Sequence, residues 1–157
     1  MIVGFTCGSF DLLHTGHALM LKEAKTHCDR LIVGLQSDPT LDRPEKNKPV
    51  QDLDERLIML KSIRWVDDVR VYNTESELIE LIKNVNPDVR IIGADWRGKQ
   101  FTGYELPVRV VFNTRDHSYS TSSLRERVMT AELHKRASAT LAPHMLGVLK
   151  AMNESSQ

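Results

Sequence analysis

Short apolar runs recur along this chain, each followed by a longer stretch with helical spacing, and that alternation leaves few folds open to it. Ile2-Val3-Gly4-Phe5-Thr6-Cys7 reads as a first strand, halted at Gly8, and Leu31-Ile32-Val33-Gly34-Leu35 is apolar throughout, as a strand covered on both faces is. Residues 69–72, 89–93 and 108–112 supply three more. Between the strands fall helices at about 16–27 and 53–63. A third carries Leu78, Ile79, Leu81, Ile82 and Val85 and is opened by Thr74-Glu75-Ser76-Glu77, which has the form of a capping box. Residues 37–50 are polar, carry Pro39, Pro44 and Pro49, and read as a long loop. Strand and helix in alternation predict an α/β chain with a Rossmann-like open parallel five-stranded sheet and helices on both faces. Ligands of such sheets bind beyond the carboxyl ends of the strands, near the point where strand order reverses. Residues with chemistry to perform are therefore expected in the loops that follow strands.

Another helix starts near Ser120 to Ser123, and residues 131–152 read as a further one, with Pro143 as a break or a new start. A 157-residue chain suits a single core, so one domain over 1–130 with a C-terminal helical appendage over 131–157 is the expected organisation. Formal net charge is zero, which speaks against a nucleic-acid or membrane-surface protein, and no stretch approaches membrane-span length. Cys7 and Cys28 are the only cysteines and lack the paired spacing of a metal framework. With no basic-then-apolar leader at the N-terminus, the expected setting is reduced and cytoplasmic.

Cys7-Gly8-Ser9-Phe10-Asp11-Leu12-Leu13-His14-Thr15-Gly16-His17 stands where the fold rule puts a phosphate site, after the first strand and at the start of the first helix. Gly8 lets the chain turn sharply, and Gly16 removes a side chain where the helix start must come close to another backbone or a ligand. His14 and His17 then project from one turn towards one point, beside the N–H groups of a helix N-terminus, giving an anion site with two added donors. Zinc ligation by the pair is an alternative, but no Cys, Asp or further His at ligand spacing completes a tetrahedron. Ordinary surface or packed histidines are the other alternative.

The stretch G-S-F-D-L-L-H-T-G-H resembles the signature of the cytidylyltransferase-like nucleotidyltransferases, whose glycerol-3-phosphate cytidylyltransferase branch carries G-T-F-D-L-L-H-x-G-H at the same place. The resemblance runs from about residue 1 to 128. It implies transfer of CMP from CTP to a small phosphorylated alcohol, sn-glycerol 3-phosphate in that branch, with release of pyrophosphate. It also implies Mg2+ accompanying the nucleotide, and a homodimer. Gly8, Ser9, Phe10, Asp11, His14 and His17 would meet the nucleotide, with both histidines catalytic. The scaffold is similar as well to adenylyltransferases acting on heptose phosphates and to cytidylyltransferases for other phosphoalcohols, such as phosphoethanolamine. A nucleotide-binding module without catalysis is the alternative from outside the enzymes.

Three further stretches agree with the resemblance. Glu55-Arg56, then Ile63-Arg64-Trp65-Val66-Asp67, is similar to the family's E-x-R and I-R-Y-V-D. This implies that Arg56 reaches nucleotide or acceptor phosphates and that Arg64 lies near a dimer interface; without the family, Arg56 reads as a solvated helix residue. Asp95-Trp96-Arg97-Gly98-Lys99 is similar to D-W-E-G-K. Asp95 can accept from ribose or a base amino group and Trp96 offers a stacking face, though a polar turn explains both. Arg115-Asp116-His117-Ser118-Tyr119-Ser120-Thr121 aligns on R-T-E-G-I-S-T. There Arg115 presents a planar cationic fork, and Ser120 and Thr121 are helix-start hydroxyls suited to the β- and γ-phosphates, where alone they would read as caps. Ser118 replaces the family's Gly, so a positive φ at that position would strain or rebuild the loop. The 37–50 loop carries Arg43, Lys46 and Lys48. Lys46 would meet the transferring phosphate as the loop closes, with Lys48 beside it for the acceptor. No direct metal ligand is assigned.

Overall fold

The computed structural model describes residues 1–154 and, beyond residue 140, side chains only at 143–145 and 147. Strands β1 (Val3–Gly8), β2 (Arg30–Gln36), β3 (Asp68–Tyr72), β4 (Val89–Ile92) and β5 (Arg109–Phe112) alternate with helices α1 (Thr15–Lys25), α2 (Leu53–Lys61) and α3 (Glu75–Val85), before a last helix α4 (Thr121–Glu154). All the pairings are parallel, and the sheet order is β3-β2-β1-β4-β5. This is the expected Rossmann-like sheet. The chain runs outward from β1 to β3 on one side, then returns to place β4 and β5 on the other, so strand order reverses between β1 and β4.

Alternation along β2 explains the two-sided core. Leu31, Val33 and Leu35 join Leu21 and Ala24 of α1, Leu60 of α2, and Val69, Val89 and Ile91 on one face. Ile32 points the other way, with Phe5 and Tyr72, onto Leu78 and Ile82 of α3. Leu78 and Ile82 are spaced to share one helix face. Each fully buried aliphatic side chain contributes about 1.5–3 kcal/mol, and these layers hold the strand ends in fixed positions.

Helix ends are closed by side chains. Asp52 caps α2, with Glu55 bonding back to its backbone in a full capping box. The box expected at Thr74 is only half formed: Thr74 accepts from Glu77 N–H, while the Glu77 carboxylate bonds one residue earlier, to Asn73. The loop after β2 also contains a 3₁₀ turn at Pro39–Leu41, started by Asp38.

The C-terminal region differs from expectation. The sequence suggested two helices meeting near residue 130, with a break at Pro143; instead α4 is a single 34-residue helix that contains Pro143. No Gly or Pro lies between 121 and 142, and that stretch is rich in good helix formers, so nothing stops the helix at 130. The chain divides into one compact unit over residues 1–119 and a second that begins at Ser120.

Candidate active site

The loop after β1 is held from several sides. One Asp11 carboxylate oxygen accepts from the backbone N–H groups of Val50 and Gln51, at 2.9 and 3.0 Å. The Gln51 side-chain oxygen accepts in return from Leu12 N–H at 2.8 Å. Phe10 turns into the core and is 3% exposed. The sharp turn expected at Gly8 lies further on: Gly8 ends β1, and Phe10 and Leu12 take positive φ values of 47° and 48°. Arg115, in the loop after β5, has a φ of 44°. Left-handed backbone at residues other than glycine costs free energy that surrounding packing must hold in place, and such residues gather at functional loops.

His14 is the N-cap of α1. Its Nδ1 accepts from Gly16 N–H at 3.0 Å, and His17 Nδ1 accepts from His14 N–H at 3.4 Å, completing a capping box built from two imidazoles. The rings stack, with centroids 3.8 Å apart and planes 25° from parallel. An Nδ1 that accepts carries no proton, so in each neutral ring the proton sits on Nε2, and both Nε2–H groups are donors. Burial keeps them neutral. It pushes His17 down to about 4, helped by His14 and opposed by Asp11. His14 is lowered by burial, then by His117 and Arg115.

Those two influences on His14 place the β5 loop beside the pair. A Cβ on Gly16 would stand 2.9 Å from His14 Cε1, 3.0 Å from the Tyr119 carbonyl oxygen and 3.1 Å from His117 Cε1. The expected need for glycine at the helix start is therefore met by another backbone. Thr114 anchors the β5 loop through N–H and hydroxyl bonds to the Glu23 carboxylate of α1, at 2.9 and 3.1 Å. Arg115 pairs with Asp95, which follows β4. His14, His17, Asp95 and Arg115 thus come from the ends of β1, β4 and β5, flanking the reversal of strand order. Trp96 is 38% exposed beside Asp95. The positive φ feared at Ser118 does not occur; the left-handed residue of that loop is Arg115.

Other expected site residues have different roles. Arg56, expected on substrate phosphates, is 2% exposed and spends its guanidinium on backbone carbonyls. Nε bonds Gln51 and Asp52, Nη1 bonds Ser9 and Gln36 at 2.8 Å each, and Nη2 bonds Ser37 at 2.6 Å. It ties the loop after β1 to the loop after β2, so neither the phosphate role nor a solvated helix residue describes it. Phe10 and Asp11 likewise shape the loop: the ring is core, and one carboxylate oxygen is occupied by backbone donors. Ser9 contributes its carbonyl to Arg56. Lys46 and Lys48 are exposed on their loop, and neither is among the charges acting on His14 or His17. Arg43 pairs instead with Glu75, which Thr102 also bonds. In the second unit, Ser120 Oγ accepts from Ser123 N–H at 3.1 Å, capping α4, whose first residue is Thr121.

A family model described as cytidylyltransferase-like matches residues 5–127, which includes all five strands but for the first two residues of β1, and both loops around the histidine pair. The chain belongs to that family. It is 38% identical over 125 residues to the bifunctional protein HldE of Helicobacter pylori (strain HPAG1), covering 79% of this chain and 27% of that protein. It is 39% identical over 131 residues to the bifunctional protein HldE of Rhodospirillum rubrum, covering 80% and 26%. The chain therefore spans about a quarter of the length of the curated relatives it matches. Among solved structures, the lipopolysaccharide core biosynthesis protein of Thermoplasma volcanium GSS1 superposes with a TM-score of 0.61 at 29% identity, over 76% of this chain and 99% of that one.

Two features of this family member were not read from its sequence. His117 beside His14 was passed over because a His between Asp and Ser carries no spacing signal by itself. The carbonyl-binding role of Arg56 depends on loops 47 and 20 residues away in sequence. Among the described residues, no group of three or more His, Cys, Asp or Glu is arranged to hold a metal ion, and no helix is long and apolar enough to cross a membrane.

Proposed function

We propose that this chain is a nucleotidyltransferase that joins the α-phosphate of a nucleoside triphosphate to a small phosphorylated acceptor and releases pyrophosphate. The observation that carries the reading is the stacked imidazole pair, each Nδ1 accepting in the capping box and each ring's donor therefore on Nε2, next to Arg115 at the strand ends. An acceptor phosphate oxygen attacks the α-phosphorus in line, forming the new P–O bond. The bond from the α-phosphorus to its bridging oxygen breaks, and pyrophosphate leaves with the electron pair. Phosphate is already a nucleophile at neutral pH, so the chain needs no strong base. Its work is to hold two polyanions together and to donate hydrogen bonds as charge grows on the α-phosphate oxygens. Neutral imidazoles suit this because they donate without giving up a proton.

We assign the transferring phosphate to His14 and His17 and the nucleotide to Gly8, Ser9, Asp95, Trp96 and Arg115. Ser120 and Thr121 are assigned to phosphate on residue type and helix-start position. Lys46 and Lys48 are assigned to phosphate on the basic character of their loop. Mg2+ would enter on the nucleotide's own phosphates, since the nearby donor set is imidazole and guanidinium rather than a carboxylate cage.

Similarity to proteins named HldE and to a lipopolysaccharide core biosynthesis protein supports a sugar-phosphate acceptor of the heptose-phosphate kind with ATP. Transfer of CMP to sn-glycerol 3-phosphate is the second reading, supported by the Asp95-Trp96 and Arg64-Trp65-Val66-Asp67 stretches. Pyrophosphate release measured with ATP and with CTP, across heptose phosphates, glycerol 3-phosphate and phosphoethanolamine, separates the two. His17→Ala should lower kcat about a hundredfold or more while nucleotide affinity changes little, because the donor acts mainly in the transition state. Unchanged kcat removes the pair from the mechanism. A homodimer near Arg64 is tested by solution mass.

A further inference from the structure

The loop after β5 holds a polar group that the transfer chemistry above leaves unused. His117 Nδ1 is buried with no hydrogen-bond partner, although the residue sits in a loop that elsewhere faces solvent. A buried imidazole nitrogen that has lost water and gained nothing is costly, and a small turn of the ring that brings it to a ligand atom restores the bond. The ring is not remote. Its Cε1 and that of His14 crowd the same point above Gly16, at 3.1 and 2.9 Å from a Cβ placed there. His17 stacks on His14. The Tyr119 ring, 5.4 Å from His117 and tilted 36° to it, holds the third imidazole over the first turn of α1.

The groups facing this cluster are mostly donors or cations. His14, His17 and His117 gather beside Arg115, and His117 and Arg115 both disfavour a charge on His14. The carboxylates nearby are committed or turned outward. Asp95 is paired with Arg115, Asp11 bonds the backbone of Val50 and Gln51, and Asp116 is exposed. Such crowding is relieved by an anion with several oxygens, more than by a neutral base or sugar. The family pattern carries Glu where this chain has His117, so the exchange replaces an acceptor with a donor at this position.

We propose that His117 is a third imidazole of the nucleotide site, its Nδ1–H donating to a phosphate oxygen of a bound nucleoside triphosphate beside the Nε2–H groups of His14 and His17. This rests on the nucleotidyltransferase reading and adds a specific phosphate contact to it. The contact is placed on the β- or γ-phosphate, which a monophosphate lacks, so it distinguishes a triphosphate from a monophosphate.

Three variants separate the two ring nitrogens. His117→Asn keeps an N–H near the Nδ1 position, His117→Gln moves it towards Nε2, and His117→Ala removes both. ATP, CTP, AMP and CMP are titrated calorimetrically into the wild-type chain and each variant. Ala and Gln should weaken triphosphate binding about tenfold or more, with monophosphate binding nearly unchanged, and Asn should recover most of the loss. Equal losses for mono- and triphosphate would move His117 to the α-phosphate, base or sugar, which both ligands carry, and overturn the assignment. Unchanged triphosphate affinity in His117→Ala, with the wild type still binding nucleotide and releasing pyrophosphate, would overturn it while leaving the transferase reading intact. A wild type that binds neither ATP nor CTP overturns the transferase reading itself, and this contact with it. Nitrogen spectra of the wild-type histidines give a measurement free of folding effects. Saturating ATP should shift His117 Nδ1 to a protonated, hydrogen-bonded position, and no shift there counts against the proposal.

Discussion

The loop after β1 and the loop after β5 meet at the first turn of α1, and they are built in opposite ways. Between Gly8 and His17, the turn is tied to the rest of the chain at several points: Asp11, Gln51, Arg56 and the imidazole capping box all hold it. Between Arg115 and Tyr119, the chain is anchored at its start by Glu23 and then relies on an exposed ion pair and one tilted ring contact. The first loop fixes donors where small displacements would cost rate. The second leaves one polar atom, His117 Nδ1, buried with no hydrogen-bond partner. Donors to a transition state gain from being held in advance, whereas contacts that select a substrate can be completed by the substrate.

Removing what stiffens the first loop should have the largest effect. Arg56→Met leaves five buried or half-buried carbonyl contacts without their donor, and a loss of roughly 4 kcal/mol in urea denaturation is expected. Arg56→Lys should recover only part, because an ammonium cannot span the same carbonyls. Full stability in Arg56→Met would mean that the first loop is no better fixed than the second.

Next comes pH. His17 is lowered from 6.5 to about 4 in the folded chain, so between those values the unfolded chain binds the extra proton and the folded one does not. Stability is therefore complete above about pH 6.5 and declines as pH falls towards 4, by up to roughly 3 kcal/mol. His17→Gln should flatten the slope in that window, and a wild-type profile already flat there would contradict a buried neutral imidazole.

Gly16→Ala tests the closeness of the two loops. The new methyl carbon must stand 3.0 Å from the Tyr119 carbonyl unless backbone moves. A loss of about 2 kcal/mol by thermal unfolding is expected, with slower turnover. An unaffected variant would show that the β5 loop yields freely. The smallest effect belongs to the second loop alone. Asp95→Ala breaks an exposed pair with Arg115, so stability should change by about 0.5 kcal/mol or less, while the KM for nucleotide rises. A large stability loss would make this loop as structural as the first.

The parallel sheet was legible because it follows from periodicity, and with it the expectation that a site lies in the loops after strands. The apolar run at Leu31 to Leu35 admits a covered strand and little else, and a parallel sheet confines ligand groups to strand ends. His14, Gly16 and His17 were legible for a local reason. Three residues within one helical turn meet each other wherever the rest of the chain goes, and their capping box is closed by their own atoms. α4 was misread where the sequence seemed to offer a boundary, because continuous helix formers outweigh a motif edge.

What the sequence could not determine is which side chains face substrate and which hold the fold. Arg56 belongs to a family motif and looks like a phosphate ligand, yet the carbonyls it satisfies come from loops brought together only when the sheet assembles. The same assembly sets His117 over Gly16 and leaves its Nδ1 without a partner. Local chemistry is written in neighbouring residues, while burial and partnership depend on long-range packing, and these alone turn one guanidinium into a structural tie and one imidazole into a site.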